Sequence, residues 1–262
     1  MDYVLVCTVS LVVAGLTFFS GFGLGTLLMP FFALFFDVPV AIAATAVVHL
    51  LNNLFKGGLM YKHADYKVVL RFAVPAAFMA FLGALLLTQL AEAEPLYTYE
   101  IFGRTAKVTV VKIIISIMIA GFSVFELHPR SDEMAFDIKY MPLGGAVSGF
   151  FGGLSGHQGA LRSAFLIKAG LEKEAFVGTA VICAVVVDFA RLIVYGSTFF
   201  VQHFDTIGAG GGWGLIAAGS LAAFLGSFLG RRLLEKVTMK TVQWIVAVML
   251  FVLAAAMGTG II

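Results

Sequence analysis

Four polar side chains stand close together in a mostly apolar run, "SGFFGGLSGHQGALRSAFL" from Ser148 to Leu166: Ser155, His157, Gln158 and Arg162. Five glycines, Gly149, Gly152, Gly153, Gly156 and Gly159, interrupt the same run. These residue types offer hydrogen-bond donation and positive charge to an oxyanion. A guanidinium is a planar fork matched to paired oxygens. Gln158 donates through its amide, and His157 either donates or carries a proton, since an imidazole titrates near ~6.5. Arg162 is the strongest signal. A charge at membrane depth costs several kcal/mol unless it meets a partner or a wet cavity, and such residues are functional by default. The structural alternative is snorkelling or pairing with an acid.

Two further groups carry chemistry. Thr45, His49, Asn52 and Lys56 are spaced four, three and four apart, so they share one helix face, with Asn53 at its edge. They either line a pathway or act as interhelical hydrogen-bond glue, with Lys56 snorkelling to the inner surface. Asp188 and Arg191, three apart, meet on one helix face. A salt bridge locking two helices is the simpler reading of that pair, a proton relay the other.

The elements that position these residues follow from composition. The chain has 262 residues, 61% hydrophobic and 12% charged, with a mean hydropathy of +1.02. A soluble domain of this length cannot hide so much apolar surface, whereas lipid solvates it directly. The expected fold class is an all-α polytopic membrane protein. A net charge of +2 brings no basic tail for nucleic acid and no polybasic cluster for anionic lipid. Met1 to Val12 lacks a basic n-region and a small-residue cleavage site, so no cleavable signal is expected. Cys7 and Cys183 both fall in apolar spans and read as small hydrophobes.

Apolar segments run 3–36, 39–60, 68–90, 107–126, 140–170, 174–197, 212–233 and 240–261. Six have the ~20-residue length of a simple membrane helix. The first and fifth are longer and broken by glycines, at "SGFGLGTLLMP" (Ser20–Pro30) and "SGHQGALRSAF" (Ser155–Phe165). The glycines of the first break are Gly21, Gly23 and Gly25, followed by Thr26. The breaks are related by a repeat. The cluster at 21–25 precedes "AATAVV" (43–48) as the cluster at 156–159 precedes "VGTAVI" (177–182), and Thr45 and Thr179 stand at nearly the same distance from their clusters. The expected domains are two repeats, 1–127 and 138–262, each a glycine-broken hairpin (3–36, 140–170) followed by three helices.

Charge sets the topology. If each long segment crosses once, the loop cations split eight against five. If each enters and leaves by one face, Lys62, Lys67, Arg71, Arg130, Lys139, Lys168, Lys173, Arg231, Arg232, Lys236 and Lys240 share a side, and only Arg104 and Lys107 lie opposite. The second arrangement obeys the positive-inside rule. It gives inverted repeats with both termini outside, in a bacterial inner membrane. Helices returning near Thr26 and Ala160 then aim free N–H groups and positive dipole ends at the midplane, where an anion is stabilised. The expected substrate-binding set is Gly21, Gly23, Gly25, Thr26, Thr45, His49, Asn52, Ser155, Gly156, His157, Gln158, Gly159, Arg162 and Thr179.

Two glycine-rich turns of the form G-x-G-G-G, each ahead of a small-residue helix containing Thr, resemble the sulfite exporter TauE/SafE family of permeases. The resemblance covers nearly the whole chain. It implies a transporter, not an enzyme, with no cofactor, acting on sulfur-containing anions such as sulfite, sulfoacetate or related organic anions; a non-sulfur organic anion is the alternative substrate. Partners are then the small anion and the lipid bilayer; proton or sodium coupling and the oligomeric state stay open. The sequence departs from the family pattern. Its turns read "GFGLG" and "GHQGA", and Pro30 after the first turn is answered by Ala164 after the second. A second resemblance is smaller. "GLSG" at Gly153–Gly156 and "HLLNN" at His49–Asn53 are similar to rhomboid protease motifs, but a nucleophilic serine needs a positioned general base, and the only later histidine beyond the turn is His203.

Overall fold

The computed structural model describes residues 2–18, 24–101, 103–127, 136–209, 211–233 and 239–262. The chain is mostly helical. The first long apolar segment forms α1 (Asp2–Leu16) and α2 (Leu24–Phe32), and α3 (Val38–Met60) and α4 (Tyr66–Ala91) follow. A two-stranded ribbon, β1 (Tyr97–Ile101) and β2 (Arg104–Val108), leads into α5 (Val110–Leu127). The second long segment forms α6 (Met141–Ser155) and α7 (Gly159–Leu166). It is followed by α8 (Lys173–Tyr195), a π turn at Gly196–Phe200, the short α9 (Phe204–Ala209), α10 (Gly212–Leu233) and α11 (Met239–Gly258).

Among the described residues, four helical stretches are long and apolar enough to cross a membrane: Val38–His63, Tyr66–Ala91, Lys173–Phe200 and Gly212–Gly230. Shorter apolar helices occur at Asp2–Leu16, Val110–Val124 and Ala247–Gly258. Large apolar side chains face outward, as Leu70, Val74 and Phe78 do along one side of α4. In water that stripe would be a liability; in hydrocarbon it is the solvated face.

Local chemistry explains the helix starts. Pro39 occupies the first turn of α3, where its missing N–H costs nothing. Asp65 caps α4 by accepting from Lys67 N at 2.9 Å and Val68 N at 3.1 Å. The ribbon departs from the sequence expectation, which reads "EAEPLYTYEIFGRTAK" (92–107) as a loop and begins the next apolar segment at 107. Tyr97, Thr98, Tyr99 and Ile101 are aromatic or β-branched, and Gly103 takes a positive φ of 71° beside the turn. The ribbon rests on the C-terminus through Tyr99 Oη donating to Thr259 O at 2.6 Å.

Close packing depends on glycine. A methyl built at Gly145, Gly149 or Gly153 of α6 would overlap Phe72 O, Ala76 O or Ala80 O of α4. On α10, a methyl at Gly226 or Gly230 would overlap Leu11 O or Gly15 O of α1. Glycines four apart let helix backbones touch, which is how apolar helices gain contact when lipid offers no hydrophobic drive. Gly149→Val therefore meets backbone that has nowhere to go. We expect a loss of about 3 kcal/mol, the upper range for overpacking, seen as a lowered melting temperature in detergent and a falling folded yield.

The helices pair as α1 with α10, α4 with α6, α3 with α8 and α5 with α11. Within the second long segment α7 lies back along α6. Ser148 Oγ donates to Gln158 O at 2.8 Å, a methyl at Gly144 would overlap the Phe165 ring, and Phe136 N donates to Ala164 O at 3.3 Å. At one end of the bundle, Asp2 shares a cleft with Phe36, Asp37, His203 and Leu215. At the other, Asp65 N donates to Thr179 Oγ1 at 2.9 Å, and Gly178 packs on Met60 O.

Candidate functional site

Helix α6 stops at Gly156, whose φ of 84° is left-handed and suits glycine alone without strain. Gln158 then precedes α7, so Arg162 projects one turn into the returning helix. The carbonyls at the end of α6 take donors from α8. Gly152 O, which accepts from Gly156 N at 3.0 Å, also accepts from Arg191 Nη1 at 3.3 Å, and Tyr195 Oη donates to Gly153 O. A cation at a helix C-terminus also meets the negative end of its dipole.

Asp188 is the hub. It is fully buried (0% exposed). Its Oδ1 accepts from Arg191 Nη2 at 2.7 Å, Arg191 Nε at 3.1 Å and Gln158 Nε2 at 3.0 Å. Its Oδ2 accepts from His49 Nδ1 at 2.7 Å and Asn53 Nδ2 at 3.3 Å. Taking a carboxylate and a guanidinium out of water costs several kcal/mol each, and only a fully satisfied network repays it. This one ties α3, α7's first turn and α8 together. Gln158 extends it: its Oε1 accepts from Arg162 Nη1 at 3.1 Å.

Arg162 and Lys56 line the same small cavity with His49, Asn52 and Asn53, closed by Phe18, Leu24 and Phe176. The centre of a water-sized sphere has about 20 Å³ there, room for roughly one water. Lys56 does not snorkel. It is 5% exposed, and its Nζ lies 5.2 Å from the Phe18 ring centroid, a cation–π distance. Asn52 Oδ1 accepts from Ser227 Oγ at 2.8 Å, while its buried Nδ2 meets no acceptor among the described residues. Two buried cations and an unsatisfied amide donor on one cavity form an anion-attracting surface.

The other expected site residues divide. Gly21 and Gly23 lie outside the described residues. Gly25 sits where the two breaks meet: a methyl there would lie 3.5 Å from His49 Cδ2 and 3.6 Å from Gly156 O. Thr26 is in the first turn of α2, half-buried. Gly159 opens α7. Thr45, one turn from His49, gives its hydroxyl to Ala41 O at 2.8 Å. Thr179 stands apart, accepting from Asp65 N near the end of the bundle.

His157 turns away from the cavity and stacks on Phe122, centroids 5.8 Å apart. Its Nδ1 lies 3.1 Å from Ser155 O and 3.0 Å from Ser155 Oγ. A carbonyl oxygen only accepts, so Nδ1 carries the proton there and cannot take one from the Ser155 hydroxyl. That hydroxyl donates to Phe151 O at 3.0 Å. The pair thus lacks the base that nucleophilic attack requires.

Sequence reasoning left four residues of this cluster outside the expected site: Lys56, assigned mostly to the membrane surface; Asn53, placed at the edge of the stripe; and Asp188 and Arg191, weighed as a structural bridge. Their signal was present in every case as charge or amide within an apolar helix. What the sequence lacked was a pointer to their common meeting place.

The fold and this buried polar cluster define a polytopic helical membrane protein. Residues 6–257 match the family model described as sulfite exporter TauE/SafE; the chain belongs to that family of membrane transporters. No curated protein and no solved structure matches it.

Proposed function

We propose that this chain is a secondary transporter, an exporter, of a small sulfur-containing anion bound near the membrane midplane between two glycine-rich turns, and that it is not an enzyme. One observation carries the reading: Arg162 and Lys56, both buried, line one cavity where the two breaks approach each other. Arg162 contributes a fork for paired oxygens and Lys56 a point charge. The first-turn N–H groups of α7 add attraction of about 0.3–1 kcal/mol. A cavity of water size must widen for an anion to enter. In a transporter that widening is the parting of one repeat from the other.

The contacts support inverted repeats. Exchange of the halves maps α1 on α10 into α6 on α4, and leaves α3 with α8 and α5 with α11 paired. Asp2 and Phe36 share a cleft at one end, while Phe136 meets Ala164 at the other, as two hairpins entering from opposite faces would. The positive-inside rule then puts the Asp65 end in the cytoplasm and both termini outside. Cysteines placed at Asp65 and Glu172 should label from the cytoplasmic side, and one at Glu94 from the outside; labelling of Asp65 and Glu172 from opposite faces contradicts this topology.

The function is tested by a flux screen in proteoliposomes with sulfite, sulfoacetate, sulfate, acetate and chloride. Saturable, protein-dependent flux of the sulfur anions, exceeding that of acetate and chloride, is expected. Equal leakage of all five, or none, overturns the reading.

A further inference from the structure

His49 reaches two sites at once. One edge of its ring is fixed by Asp188: the 2.7 Å contact from Nδ1 to a carboxylate oxygen makes Nδ1 the donor. The unprotonated nitrogen of the neutral ring is therefore Nε2, the ring's acceptor, with the Asn53 amide nitrogen 3.4 Å away. Its neighbour Cδ2 faces Gly25, beside Gly156 O, where the two breaks approach. His49 also lines the cavity that holds Lys56 and Arg162. We propose that His49 Nε2 is a proton-binding site linked to the anion site, so that an anion entering the cavity draws a proton onto His49 and the two cross together. This rests on the reading of the cavity as the anion site.

The coupling follows from the charges that face His49. On its own helix there is Lys56; on α7, Arg162; on α8, Arg191 and Asp188. α2 and α10 bring no titratable side chain to it among the described residues. Three cations oppose a further positive charge, and one carboxylate, already engaged by Arg191, favours it. An anion beside Arg162 and Lys56 changes that balance in favour of the imidazolium, whose new N–H can donate to the anion once the Asn53 amide beside that nitrogen turns aside. Linkage makes the effect reciprocal: the factor by which anion strengthens proton binding is the factor by which the proton strengthens anion binding. No bond is made or broken except the N–H, and the proton comes from and returns to water.

The test is titration calorimetry of the purified full-length protein with sulfoacetate, whose sulfonate and carboxylate keep fixed charge between pH 6.5 and 8.5. Two buffers of different ionisation enthalpy report protons taken up. The wild type should take up close to one proton per anion at pH 8, with affinity falling about tenfold per pH unit there. His49→Gln should bind more weakly, with no uptake and a flat pH profile. Binding without uptake in the wild type overturns the proposal and leaves the anion site standing. Uptake that persists in His49→Gln also overturns it, placing the proton elsewhere. If neither sulfoacetate nor sulfite binds the wild type, the anion site fails and this proposal with it. Should His49→Gln not fold, the wild type alone decides in proteoliposomes. With equal sulfoacetate on both sides and the potential clamped at zero, an imposed pH gradient should drive accumulation on the alkaline side; none would overturn the proposal.

Discussion

Arg162→Ala is expected to lower affinity for sulfite by roughly 10- to 100-fold. A hydrogen bond to a charged group contributes about 1.5–3 kcal/mol, and each ~1.4 kcal/mol is a factor of ten. The loss should appear in binding and in proteoliposome flux, with the melting temperature little changed, because Gln158 keeps its bond to Asp188. Arg162→Lys should recover part of the affinity, since an ammonium supplies charge without the planar fork. An Arg162→Ala protein that binds and moves sulfite normally would make Arg162 a structural residue and leave Lys56 and Asn52 to account for any anion site.

The second large effect concerns folding. Asp188→Ala removes the acceptor shared by Arg191, Gln158, His49 and Asn53. It leaves a guanidinium buried without its carboxylate, which costs about 3–5 kcal/mol. We expect little folded protein in detergent. Asp188→Asn, which keeps the shape and an acceptor oxygen but not the charge, should fall between. The double variant Asp188→Leu/Arg191→Met should restore much of the stability, because exchanging a whole buried ion pair for apolar groups is often neutral. It should not restore flux, since Gln158 then loses the bond that orients it toward Arg162. Melting temperature and folded yield separate the two expectations. If the double variant is as unstable as Asp188→Ala, the ion pair is not what couples these helices.

Much of this was legible because polar groups inside an apolar chain are costly and therefore conspicuous. Gly156, Gln158 and Arg162 marked the second break, and α7 begins at Gly159, one residue from the expected Ala160. Thr45, His49, Asn52 and Lys56 share a face because helical spacing fixes their direction, and all four are buried. Spacing does not fix partners. His49 and Asp188 are 139 residues apart in sequence, and only the packing of α3 on α8 joins them. Nor does it fix side-chain direction at a turn: His157 could have faced the cavity, but it follows the left-handed Gly156 and stacks on Phe122. Lys56 has the reach to snorkel, and only the placement of Phe18 and Arg162 shows where its stem goes. The ribbon was missed because a single glycine, Gly103, in a charged loop is a faint hairpin signal.

The central claim is that one small anion sits between Arg162 and Lys56. The most direct measurement is long-wavelength anomalous diffraction from crystals soaked with sulfoacetate. Sulfur in the protein is confined to 10 methionines and 2 cysteines. The account predicts one further sulfur peak, within hydrogen-bonding reach of both the Arg162 guanidinium and Lys56 Nζ. A further peak located elsewhere, or no further peak at concentrations that saturate transport, would contradict it.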